Sequence, residues 1–111
     1  MAVYIKTENP KQLLENIKSK LTELINPSWN IDFEGDFQYT GCGCDKAWLR
    51  PYFSPKNLIF GIIGKKNESL LKSTYSTYHA EIAKFILNHF DDDVISVKIS
   101  PKKVISIDKY E

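Results

Sequence analysis

The chain has 111 residues, a formal net charge of +1, 42% hydrophobic and 13% aromatic residues. That length suits one domain, which removes roughly 65% of its unfolded surface from water and holds a core without a metal or disulfide staple. The apolar content exceeds that of disordered chains, no apolar run approaches the ~20 residues that span a bilayer, and the start Met1-Ala-Val-Tyr-Ile-Lys6 lacks a secretory pattern, so the sequence predicts a cytoplasmic protein with no membrane partner.

In chain order, Val3 and Ile5 alternate with other residues and predict a short first strand. Asn9-Pro10 then opens a helix: Asn9 can cap it, Pro10 suits the first turn, and Gln12 stands where a capping box places its glutamine. Leu13, Leu14, Ile17, Leu21, Leu24 and Ile25 form one apolar stripe, and Asn26-Pro27 ends the helix. From Trp29 the period becomes two. Trp29, Ile31 and Phe33 are expected on one face and Asn30, Asp32 and Glu34 on the other, with Phe37 and Tyr39 returning after a tight Gly35 turn as a β-hairpin.

A second pair of strands follows, 47–53 and 57–63, joined by Ser54-Pro55-Lys56. Pro51 cannot donate to a ladder, which places its strand at an edge or a bulge there. The run 58–63 is apolar on both faces and reads as the central, covered strand. A second helix begins between Leu70 and Ser76 and carries Tyr75, Tyr78, Ile82, Phe85, Ile86 and His89 at helical spacing, with Asp91-Asp92-Asp93 beyond it. Late strands are expected over Val94 to Ile99 and Val104 to Ile107. The predicted fold is α+β, a single domain over 1–111: a mostly antiparallel sheet with two helices on one face, in the order β-α-β-β-β-β-α-β(-β).

Charge is segregated within the first two-thirds of the chain. Residues 21–45 carry five acids and no Lys or Arg, and residues 46–72 carry six bases against Glu68, two blocks of −5 and +5. The acids are a recognition surface for a cationic partner, unless the two hairpins lie side by side and neutralise each other. Asp91-Asp92-Asp93 stands where a helix C-terminus is already partly negative, and reads either as a solvated turn or as part of the same acidic surface.

Other chemistries have weak signatures. Cys42 and Cys44, in Gly41-Cys-Gly-Cys-Asp45, are one residue apart, which strains a direct disulfide and falls short of a C-x2-C zinc knuckle, so inert loop thiols are expected, with no metal and no cofactor. His79-Ala-Glu81 matches the H-x-E of zinc nucleobase deaminases, but no cysteine follows Cys44 to complete the ligand set. An enzyme would have to use His79 with Glu81 or Arg50; otherwise His79 and His89 are hydrogen-bonded core or rim residues. There is no G-x-S-x-G and no Gly-rich phosphate loop. The α-β-β-β-α order from 10 to 90 matches a double-stranded RNA-binding domain. The second helix lacks a Lys/Arg row, however, so nucleic acid is not the expected partner. Trp48, Tyr52 and Phe53 beside Arg50 form either a stacking platform or core.

The segments Gly35-Asp36-Phe37, Ala47-Trp48-Leu49-Arg50-Pro51, Phe60-Gly-Ile-Ile-Gly64, Tyr75-x-x-Tyr78-His79 and His89-Phe90-Asp91 resemble a group of small bacterial proteins without assigned catalytic residues. The resemblance covers residues 29–93 and brings no activity with it. In type, through small size, segregated charge and absence of catalytic motifs, the chain is also similar to immunity proteins that neutralise bacterial toxins, including those of contact-dependent inhibition systems. The combined expectation is a protein-binding module that masks a cationic, nuclease-type toxin domain. Asp32, Glu34, Asp36, Asp91, Asp92 and Asp93 would steer the encounter, and Tyr39, Trp48 and Tyr52 would anchor the complex.

Overall fold

The computed structural model describes residues 2–41, 47–65 and 69–103. Their element order is β1 (Ala2–Lys6), α1 (Pro10–Glu23), β2 (Trp29–Ile31), β3 (Phe37–Tyr39), β4 (Ala47–Ser54), β5 (Asn57–Gly64), α2 (Lys72–Phe90), a 3-10 turn (Asp91–Asp93) and β6 (Ser96–Ser100). This is an α+β fold built on an antiparallel sheet with strand order β2-β3-β4-β5-β1-β6. The expected strand at Val104 to Ile107 and the loop thiols Cys42 and Cys44 lie outside the described residues.

Helix α1 starts as its sequence dictates. Asn9 Oδ1 accepts from the Gln12 N–H at 3.1 Å and Pro10 occupies the first turn. The capping box is only half formed, because the Gln12 side chain donates instead to Asn16 Oδ1 at 2.9 Å. The helix stops at Glu23, the Leu24 N–H bonds the Lys20 carbonyl, and Asn26 takes φ +54°, a left-handed value that Asn tolerates better than most residues. The apolar stripe therefore ends before Ile25, which is 91% exposed.

Sheet alternation divides the strand residues into two sets. Trp29, Phe37, Leu49, Leu58, Phe60, Ile62, Val3 and Ile5 are buried together with Leu13, Leu14, Ile17 and Leu21 of α1 and Tyr78, Ile82 and Ile86 of α2. Both helices thus cover the same face. Strand β5 is central, flanked by β4 and β1, but its two faces differ. Leu58, Phe60 and Ile62 are buried under the helices, whereas Ile59 and Ile63 point the other way and are partly exposed. On that second face the strand register aligns Trp48 with Ile63, Arg50 with Gly61, and Tyr52 with Ile59 and Tyr4. No described helix covers it.

Pro51 is tolerated because β3 is short and reaches β4 only at Phe37–Leu49, so the second half of β4 has β5 on one side and no described strand on the other. The β4–β5 hairpin closes with Ser54 opposite Asn57. At the other end of β4, the Tyr78 hydroxyl of α2 donates to the Ala47 carbonyl at 2.9 Å and accepts from the Tyr39 N–H at 3.2 Å. One phenol thereby locks α2 to two strands, within an aromatic cluster where its ring lies 5.5 Å from Trp29 and 6.2 Å from Tyr39.

Candidate functional site

The connection between β2 and β3 is organised by its own acids. Asp32 Oδ1 accepts from the Glu34 N–H at 2.9 Å and the Asp36 N–H at 3.0 Å. The Gly35 N–H bonds the Asp32 carbonyl, the Asp32 N–H bonds the Asp36 carbonyl, and Gly35 supplies the positive φ of +87°. Arg50, projecting from β4, then fixes this turn to the neighbouring strand. Its Nε donates to Asp36 Oδ1 and its Nη2 to Asp36 Oδ2, both at 2.8 Å, and Nη2 also stands 3.5 Å from Glu34 Oε2. Such a two-point fork sets both distance and angle. The hydrogen bond to Asp36 is the main reason the Arg50 guanidinium pKa is raised above its ordinary value.

This geometry corrects the acidic surface expected from the sequence. Asp36 is only 5% exposed and bound to Arg50, so it is not a steering charge. Asp32 and Glu34 remain at the surface, each already engaged, Asp32 by backbone N–H groups and Glu34 by Arg50. The two hairpins do lie side by side, and Arg50 neutralises part of the acidic block. Asp91, Asp92 and Asp93 are exposed but belong to the other end of the sheet order. There Thr7 Oγ1 donates to the Asp93 carbonyl at 2.8 Å and the Ile95 N–H to Lys6 at 2.7 Å. Four strand spacings, about 19 Å, separate β3 from β6. Lys56, paired with Glu8 at 2.7 Å, belongs to the β4–β5 turn between them.

The expected anchors also divide. Trp48 and Tyr52 are partly exposed on the face away from the helices, on either side of Arg50. Tyr39 lies on the helical face, 5.1 Å from the Trp29 ring. Desolvation first, and then the charge and hydrogen bond of Glu81, push the Tyr39 hydroxyl pKa above its ordinary value. Phe33 corrects the expectation in the opposite direction. Strand alternation places it on one face with Trp29 and Ile31, but β2 ends at Ile31 and Phe33 stands 97% exposed on the turn. Its signal was the acid on either side, Asp32 and Glu34, at a point where the chain reverses.

The enzyme candidates do not assemble. Neighbouring residues on a helix diverge by about 100°, so His79 and Glu81 point to different sides of α2. His79 is 3% exposed, with Nδ1 donating to the Tyr75 carbonyl at 2.7 Å and Nε2 buried without a hydrogen-bond partner among the described residues. Glu81 belongs to Tyr39. His89 is exposed, its ring 4.6 Å from that of Phe85, beside a 230 Å³ groove lined by Leu24, Pro27, Trp29 and Lys84 among others. Among the described residues no group of three or more His, Cys, Asp or Glu could hold a metal ion, and no helix is long and apolar enough to cross a membrane.

Comparison of the chain with protein-family models, with curated proteins and with solved structures finds no match.

Proposed function

We propose that this protein is a small binding module of the inhibitor or immunity type, which masks a basic, nuclease-type toxin domain of bacterial origin. Its contact corner comprises the β2–β3 turn and the adjoining part of β4. Phe33 is the observation that carries this reading: a large apolar side chain, 97% exposed, on a turn that four internal hydrogen bonds and the Arg50 fork hold in one shape. An exposed phenyl group on a rigid support loses little conformational freedom when it enters a pocket, so most of its burial becomes affinity. Asp32 and Glu34 flank it and suit a cationic rim. Trp48 and Tyr52 adjoin Arg50 on the same corner, and Trp, Tyr and Arg are the residue types in which binding energy concentrates. Asp91, Asp92 and Asp93 are too distant to share this contact.

Co-expression with the product of the gene adjacent to its own, followed by titration calorimetry of the purified pair, tests the reading. Phe33→Ala and the double variant Trp48→Ala/Tyr52→Ala should each weaken binding by about 2 kcal/mol or more, the range of interface hot spots. Asp32→Lys with Glu34→Lys should slow association and flatten its salt dependence. Thermal melting should find Phe33→Ala folded as well as the parent, because the ring buries nothing. Neutralisation and affinity unchanged across all three variants would rule this corner out.

A further inference from the structure

We propose that the groove between the end of α1 and the second half of α2 binds a free amino acid with an aromatic or branched apolar side chain. The groove has a volume of 230 Å³, room for about eight water molecules at their liquid volume and so for one small organic molecule. Leu24, Pro27 and Phe85 make its apolar walls above the buried Trp29, and Ile25, 91% exposed, borders it. The His89 ring, 4.6 Å from that of Phe85, lengthens the aromatic wall.

The groove also carries one acid and one base that do not pair with each other. On α1, Glu15 with Lys18 and Lys20 with Glu23 are i,i+3 neighbours that close to 3.7 Å and 3.9 Å. Glu81 and Lys84 have the same spacing on α2, yet Glu81 hydrogen-bonds Tyr39 and Lys84 has no partner among the described residues. At about 100° per residue, Glu81, Phe85 and Asn88 share one stripe of α2 and Lys84 lies beside it. Both charges therefore border the same apolar wall.

That pair of charges selects the ligand. A simple carboxylate would meet Lys84 but also the charge of Glu81, and a simple amine would meet Glu81 but also the ammonium of Lys84. A dipolar molecule satisfies both. Its carboxylate accepts from Lys84 Nζ and from the Asn88 amide, and its ammonium donates to the Glu81 carboxylate, which keeps lone pairs after accepting from Tyr39. Residues three apart on a helix have Cβ atoms about 5–6 Å apart, a gap that a ligand with both charges on one carbon bridges. Leu24 directly follows α1, and a helix C-terminus favours the ammonium, whereas Lys84 stands more than a turn before the end of α2, where that effect on the carboxylate has faded. The apolar side chain then covers Leu24, Pro27 and Phe85. None of these residues belongs to the β2–β3 turn or to β4, so the site is independent of the partner proposed above.

Titration of the isotope-labelled full-length chain with L-phenylalanine, followed by two-dimensional NMR, tests this. Saturable shifts are expected at Ile25, Phe85 and the Asn88 side-chain amide, with a dissociation constant on the order of a millimolar, as befits about ten ligand atoms in an open groove. Phenylpropanoate, which lacks the ammonium, and phenylethylamine, which lacks the carboxylate, should each bind about tenfold more weakly. Lys84→Met should weaken L-phenylalanine about fivefold or more and leave phenylethylamine no weaker. Glu81→Gln should weaken L-phenylalanine similarly and leave phenylpropanoate no weaker. Thermal melting checks that both variants fold; if Glu81→Gln does not, because of its bond to Tyr39, Lys84→Met and the two analogues on the parent chain decide the matter. No saturable shift at tens of millimolar L-phenylalanine, an analogue that binds as tightly as the amino acid, or Lys84→Met that binds L-phenylalanine like the parent would each overturn the proposal.

Discussion

The segment Asp32–Asp36 and the segment Asp91–Asp93 each carry three acids, and the fold treats them differently. In the first, Asp32 accepts two backbone N–H groups, Asp36 is buried against Arg50, and Glu34 leans on the same guanidinium. In the second, all three side chains are exposed, and the described hydrogen bond there uses the Asp93 main-chain carbonyl. Acids in the first segment are structural, shaping a turn and joining it to β4. Acids in the second make no side-chain hydrogen bond or ion pair among the described residues, and their position at the end of α2 is unfavourable. A local count of charge therefore says little about what a charge does; the groups within about 4 Å decide it.

Substitutions on the two sides should separate these roles. Arg50→Met should have the largest effect, a loss of about 2 to 3 kcal/mol in chemical denaturation. It leaves the Asp36 carboxylate buried without its cation, although the partial exposure of Arg50 moderates the penalty. Asp32→Ala removes an acceptor from two backbone N–H groups and should cost about 1 to 2 kcal/mol by the same measurement. The opposite sign is expected in the other segment. Asp91→Asn should raise stability by about 0.3 kcal/mol, because it removes a negative charge from the negative end of α2. Loss of stability on that change would contradict the contrast.

The smallest effect concerns Glu8, whose ion pair with Lys56 belongs to neither segment. Its pKa is held below 4.5, first by the hydrogen bond from Lys56 and then by that residue's charge. A carboxylate lowered in the fold contributes stability above its unfolded pKa and loses it as pH falls through the folded value. The melting temperatures of the parent and of Glu8→Gln should therefore differ slightly near neutral pH and converge as the pH falls through the folded value. The difference should also shrink at high salt, since the pair is exposed.

Much of the fold was legible in the residues. Period, caps and turn chemistry located both helices, the two hairpins and the first and last described strands, because each is a local property of a few neighbouring side chains. The quoted segments proved to be points where the fold joins itself. Gly35-Asp36-Phe37 meets Ala47–Pro51 through the Arg50 fork and the Phe37–Leu49 pair, and Tyr78 reaches Ala47. Those segments thus report packing more than chemistry. The candidate site was less legible. Alternation carried past the end of β2 placed Phe33 on the face of Trp29 and Ile31, and the distribution of Tyr39, Trp48 and Tyr52 over two faces could not be read from spacing alone.

What the sequence determined by itself was the set of elements and the apolar face of each, since hydrophobic period and capping act over a few residues. The tertiary structure decided which charges survive at the surface and which large apolar side chains are left outside. Asp36 and Arg50, fourteen positions apart, cancel because two hairpins happen to be neighbours in the sheet. Asp32–Asp36 and Asp91–Asp93 cannot act as one patch because four strand spacings lie between β3 and β6. Both outcomes depend on strand order, which brings distant residues together or holds them apart and has no counterpart in any local pattern.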